Sequence, residues 1–146
     1  MDFKIVPMNE NHVKEIAEIE RECFSDPWSE VSISSELQKD GSVYFVAVSN
    51  EGVLGYCGLN FVLDEGYITN IAVRASLRGN GIGTALLKAL ISRSKELSLA
   101  FVSLEVRVSN EKAISLYESF GFKTVGMRKS FYQKPKEDAN LMTLYL

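Results

Sequence analysis

At 146 residues, 46% of them hydrophobic and 24% charged, the chain has the make-up of one globular domain, 1–146, large enough for a core of its own. A formal charge of −3 argues against a nucleic-acid binder held by phosphate contacts and mildly favours a partner with a cationic amine. No stretch approaches the ~18 apolar residues of a membrane span, so no membrane association is expected.

The opening, MDFKIVPMNE, lacks a basic region followed by an apolar one, so no signal peptide is expected. FKIVP (3–7) predicts a short strand ended by Pro7, and Asn9 or Asn11 caps the helix that follows. Val13, Ile16, Ala17, Glu20 and Cys23 recur at helical spacing. FSDPWSE (24–30) breaks that helix. Ser25 or Asp26 ahead of Pro27 predicts another helix start, running to about Leu37. VYFVAV (43–48), VLGYCGLNFVL (53–63) and YITNIAV (67–73), joined by NEG and DEG turns, read as an antiparallel meander. The run from Ile82 to Leu97 has an amphipathic helical period. FVSLEVRV (101–108) alternates, with Val102, Leu104 and Val106 on one face and Ser103, Glu105 and Arg107 on the other. Asn110 caps the next helix, where Ala113, Leu116, Tyr117 and Phe120 share a face, and Gly121 ends it. FKTVGMR (122–128) and LMTLYL (141–146) predict a last strand pair around a polar loop, QKPKEDAN (133–140). Mixed α/β architecture follows, with one parallel crossover unit at 67–108.

Cys23 and Cys57 form no C-x-x-C, which suits reduced thiols in a cytoplasmic protein. His12 is the single histidine and has no clustered ligands, so no metal site is expected.

RASLRGNGIG (74–83) joins a strand to a helix and holds Gly79, Gly81 and Gly83. Glycine lets a phosphate reach the unpaired amides of a helix N-terminus, and Arg78 adds a cation. Tight packing is the competing reason for the glycines. A Walker loop is excluded because Thr84, not lysine, follows Gly83. A dinucleotide fingerprint fits poorly, since the third glycine is one place early and a meander precedes the single crossover.

The pattern R-G-x-G-I-G after NIAV resembles the acetyl-CoA loop of the GNAT superfamily of N-acetyltransferases. FSDPWSE, YITNIAVRASLRGNGIGTALL and LEVRVSNEKAISLYESFGF together resemble its RimI-type family, which acetylates the N-terminal alanine of a small-subunit ribosomal protein. The resemblance implies a three-layer GNAT fold: a mostly antiparallel central sheet with one splayed parallel strand pair, flanked by helices. It implies a bulge in the strand of NIAV and acetyl-CoA as cosubstrate. Backbone of Ile71, Ala72 and Val73 would pair with the pantetheine arm, the Val73 amide holding the oxyanion. Arg78, Gly79, Asn80, Gly81, Ile82 and Gly83 would take the pyrophosphate, and Asn110 would also touch the cofactor. Glu105 matches the family's proton acceptor and Tyr117 its proton donor. Read from residues alone, Glu105 is equally a paired strand carboxylate and Tyr117 a core tyrosine. A protein N-terminus is the implied partner. A small-amine acceptor, such as a polyamine or aminoglycoside, and a non-catalytic acyl-CoA sensor stay open. The segments 24–30 and 133–140 would flank the peptide entrance, with Trp28 and Tyr132 there as contacts or simply as packing.

Overall fold

A computed structural model describes residues 2–146. Seven strands form one sheet in the order β1-β2-β3-β4-β5-β7-β6: β1 Lys4–Pro7, β2 Ser42–Ser49, β3 Gly52–Val62, β4 Glu65–Val73, β5 Phe101–Arg107, β6 Lys123–Gln133 and β7 Lys136–Tyr145. All neighbours are antiparallel except β4 and β5. The helices are α1 Val13–Cys23, α2 Glu30–Leu37, α3 Ile82–Glu96 and α4 Glu111–Ser119.

Alternation along the strands sends side chains to two cores, one on each face. On one, Ile16, Ala17 and Ile19 of α1 and Ile33 of α2 meet Tyr44, Val46, Tyr56 and Ala72. On the other, Ile82, Leu86, Leu87 and Leu90 of α3 meet Cys57, Leu59, Val102, Leu104 and Val106. The expected three layers are therefore present. An ion-pair cluster ties α1 to the end of β4: the Arg74 guanidinium lies 3.4 Å from Glu15 and 3.3 Å from Glu18.

Two irregularities in the sheet create the site. Gly58 of β3 pairs with Asn70 but Leu59 pairs with Ile68, so Thr69 is an extra residue, a bulge. And β4 pairs with β5 only through Glu65–Tyr67 against Phe101–Ser103. Beyond that the strands part and leave an open V.

Two sequence expectations are corrected. The helix after Pro27 starts at Glu30, with Ser29 accepting from the Ser32 amide at 3.1 Å. Residues 27–28 stay outside the helix, and the Trp28 amide is taken by the Glu20 carboxylate at 2.9 Å. The polar stretch 133–140 is not a loop. Gln133 ends β6, Lys136 begins β7, and Tyr132↔Glu137 is among their pairs.

Candidate active site

The V opens into a cleft of about 640 Å³, whose walls include Ile71, Glu105, Asn110, Tyr117, Trp28 and Tyr132. Arg74 N–H donates to the Leu54 carbonyl of β3 at 3.0 Å. By strand alternation the amides and carbonyls of Ile71 and Val73 then point away from β3, toward the open edge. Ala72 does not share that orientation. Its backbone turns to β3 opposite Tyr56, and its side chain is buried against α1. The Val73 carbonyl accepts from the Cys23 thiol and from Arg78 Nε, each at 3.4 Å.

The glycine loop sits at the N-terminus of α3, outside the walls of the cleft. Gly79 and Gly81 have φ of +86° and +78°, and a Cβ on either would meet nothing within 4 Å. Tight packing therefore does not explain these two glycines; backbone conformation and open space do. At Gly83 a Cβ would make ordinary contacts at 3.9 Å with Leu116 and Val73. No side chain caps α3, so the amides of Ile82, Gly83 and Thr84 are free of intrahelical partners. Ile82 is itself buried in the core and offers only that amide. Asn80 Nδ2 bonds the Leu77 carbonyl at 2.9 Å and holds the loop. Arg78 folds back to the Cys23 sulfur at 3.4 Å. Asn110 caps α4, accepting from the Ala113 amide at 3.2 Å, and also faces the cleft.

Glu105 and Tyr117 approach the V from opposite faces. Leu104 and Val106 belong to the α3 core, so Glu105 between them points to the α1 face. Its side chain is only 5% exposed, and Arg128 Nε lies 3.0 Å from Oε1. The Tyr67 hydroxyl donates to Oε2, and burial with that bond to the carboxylate pushes the Tyr67 hydroxyl well above its ordinary value. Tyr117 packs on the α3 core and against the Phe122 ring at 5.7 Å. Burial pushes its hydroxyl up to about 12, with no hydrogen bond contributing.

Sequence reasoning missed Tyr67 and Arg128. Tyr67 was legible as a strand residue two places after Glu65, but its partner is 38 residues away. It also missed the contacts that hold Tyr132 to Pro135. Arg107 donates to the carbonyls of Pro135 at 2.9 Å and Lys134 at 3.2 Å, and its guanidinium lies 4.2 Å over the Tyr132 ring. Ser25 donates to the Lys134 carbonyl, joining the two segments expected to flank the entrance. Among the described residues no group of three or more His, Cys, Asp or Glu is placed to hold a metal ion, and no helix is long and apolar enough to cross a membrane.

The acetyltransferase (GNAT) family model matches residues 13–122. The chain is 37% identical over 128 residues to the [ribosomal protein bS18]-alanine N-acetyltransferase of Escherichia coli (strain K12), covering 86% of both. The crystal structure of the Escherichia coli ribosomal-protein-S18-alanine N-acetyltransferase superposes with a TM-score of 0.90 at 33% identity, over 99% of this chain and 94% of that one. Arabidopsis thaliana NAA60, solved in complex with acetyl-CoA, shares the fold with a TM-score of 0.90 at 20% identity, over 99% of each chain. The chain belongs to the GNAT family of acetyltransferases, in its RimI-like group of ribosomal-protein-alanine N-acetyltransferases.

Proposed function

We propose that this N-acetyltransferase moves an acetyl group from acetyl-CoA to the α-amine of an N-terminal alanine, on the bS18-type ribosomal protein that its relatives are named for. The carrying observation is the split cleft, with a carboxylate on one face and a phenol on the other at the gap between β4 and β5. An acceptor amine from the α1 face would meet Glu105, and a thiolate departing toward α3 would meet Tyr117.

Acetyl-CoA supplies an activated thioester carbonyl. The free amides of Ile71 and Val73 extend the edge of β4 toward the pantetheine arm. Of the two, Ile71 lines the cleft with Glu105 and Tyr117, so its amide is better placed than that of Val73 to hold the oxyanion. The open space at Gly79 and Gly81 and the free amides of Ile82 and Gly83 fit a pyrophosphate, with Arg78 and Asn80 at the loop and Asn110 at the cleft. Glu105 accepts the amine proton, directly or through water, and Tyr117 protonates the leaving sulfur.

Protonation cost supports an α-amine. With a pKa near 7.7–8.0, roughly a tenth is neutral at pH 7, a cost of about 1 kcal/mol. A lysine amine near 10.4 costs about 4–5 kcal/mol by the same arithmetic. A cytoplasmic setting fits a ribosomal-protein acceptor.

The test is mass spectrometry of one peptide carrying an N-terminal alanine and an internal lysine, beside polyamine and aminoglycoside controls. Acetyl on the terminus, lost in Glu105→Gln, is the expected result. Acetyl on lysine or on the small amines instead assigns a different acceptor.

A further inference from the structure

Among the described residues, one buried side-chain oxygen or nitrogen has no hydrogen-bond partner: Oδ1 of Asn70. Leaving such a group unpaired is costly, because it has given up water for nothing. The other end of the same amide is tied down. Its Nδ2 donates to Oε2 of Glu20 at 3.3 Å. Glu20 is 1% exposed and also accepts from the Trp28 amide at 2.9 Å and the Tyr56 hydroxyl at 2.5 Å. Burial raises its carboxyl above the usual range, while those three bonds pull it back. Turning the Asn70 amide over would set its carbonyl against this carboxylate. Glu20 thus fixes Asn70 with its acceptor end free.

The bulge decides where that end lies. Ile68 faces the α3 core, and strict alternation would put Asn70 on the same side. With Thr69 as the extra residue, Thr69 reaches the Tyr44 hydroxyl at 3.2 Å and Asn70 reaches Glu20, both on the α1 face. Asn70 therefore stands on the face of Glu105, one residue and about 3.8 Å of backbone from Ile71. Glu20, Asn70, Ile71 and Glu105 all line the one cleft.

We propose that Asn70 orients the attacking amine, its Oδ1 accepting one N–H while the other is directed to Glu105. This rests on the reading of the cleft as an amine acetyltransferase site. A neutral primary amine has one lone pair and two N–H bonds. With the lone pair aimed at the carbonyl carbon, both N–H bonds need acceptors for a single attack geometry. Glu105 supplies one and Asn70 the other. The balance of the step is unchanged: the N–C bond forms, the C–S bond breaks, the amine proton goes to Glu105 and the sulfur takes a proton from Tyr117. Glu20 is a positioning residue that acts through Asn70.

The experiment is steady-state kinetics on an alanine-initiated peptide, with acetyl-CoA affinity measured by calorimetry in parallel. Asn70→Leu, and Asn70→Ala which adds no bulk, should lower kcat/KM by about 10- to 100-fold, the worth of one hydrogen bond to a charged or reacting group. Acetyl-CoA affinity should stay within about twofold, which also reports that the variant is folded. Glu20→Gln, whose amide can donate to Oδ1 and occupy it, should act in the same direction. A peptide beginning with N-methylalanine keeps one N–H, so its disadvantage against alanine should shrink in Asn70→Leu. Wild-type kcat/KM in both Asn70 variants, acetyl-CoA affinity lost in step with turnover, or an undiminished N-methyl disadvantage would overturn the assignment. Absence of peptide turnover by the wild type would overturn the underlying reading instead.

Discussion

Glu105 and Tyr117 stand on opposite faces of the same sheet, across the gap where β4 and β5 part. One side chain can therefore serve the incoming amine and the other the departing sulfur without either crossing the sheet. The division rests on an ordinary feature of strands: Leu104 and Val106 are drawn into the α3 core, so Glu105 cannot be.

Tyr117→Phe keeps the ring on Phe122 and removes only the hydroxyl. Turnover should fall by about 10²–10⁴, with acetyl-CoA affinity little changed. The pH dependence sharpens this. The folded-state value, raised to about 12 from an ordinary 10.0, means that folding favours the protonated phenol. That contribution to stability is whole below the ordinary value and is lost as pH rises through the folded one. Tyr117 is thus protonated at every neutral pH. The loss in Tyr117→Phe should be the same factor from about pH 6 to 9. A loss confined to the alkaline side in pH-rate profiles would remove Tyr117 from the donor role.

The glycine loop separates stability from binding. Gly83 is helical and a Cβ there has room, with its neighbours at 3.9 Å. Gly83→Ala should therefore stabilise the fold by about 0.5–1 kcal/mol. If the first turn of α3 cradles a pyrophosphate, the same methyl should weaken acetyl-CoA binding. Gly81→Ala should instead lose about 1–2 kcal/mol, because its φ of +78° is a left-handed conformation. Thermal melts and calorimetric titration read the two effects separately. Gly83→Ala that gains stability and binds acetyl-CoA as well as wild type would place the pyrophosphate elsewhere.

Most of this candidate site was legible where the chemistry is local. The glycines, the Asn110 cap and the face of β5 that carries Glu105 each follow from a few neighbouring residues. What stayed hidden depends on distant pairing. The resemblance implied a bulge in the strand of NIAV, but its place at Thr69 appears only in the register against β3, and it moves Asn70 to the face of Glu20, 50 residues away. Gln133 to Asn140 looked like a loop because polar residues fill both faces. Its strand character comes from pairing with β6, and Arg107 holds its turn. Glu20 fell within the apolar stripe of α1 by spacing, yet nothing local announced that Trp28, Tyr56 and Asn70 would converge on it.

Arg74 should matter for stability more than for chemistry. Besides its carboxylate neighbours, its Nε donates to the Val53 carbonyl at 2.8 Å. Arg74→Met leaves Glu15 and Glu18 repelling each other and unties α1 from β4. A loss of about 1–2 kcal/mol is expected, seen as a fall in Tm of roughly 2–8 °C. The loss should shrink at 1 M salt, where the Debye length is about 3 Å and repulsion between half-exposed carboxylates is screened. A loss independent of salt would mean that packing of the arginine stem, not charge, holds α1.

Tyr67 and Arg128 grip the two oxygens of Glu105, and the phenol is the more telling of the two. Losing the phenol frees the Glu105 carboxylate to turn. For a proton acceptor proposed to meet an amine within hydrogen-bond reach, misplacement is costly. Tyr67→Phe should therefore lower kcat at neutral pH by about tenfold, the worth of one hydrogen bond to a charged group. Acetyl-CoA affinity should be untouched. The decisive comparison is a double-variant cycle. If Tyr67 acts only by holding Glu105, Tyr67→Phe combined with Glu105→Gln should be no slower than Glu105→Gln alone. Additive losses would show that the phenol acts on the substrate independently, and kcat unchanged in Tyr67→Phe would show that Arg128 alone is enough to hold the carboxylate.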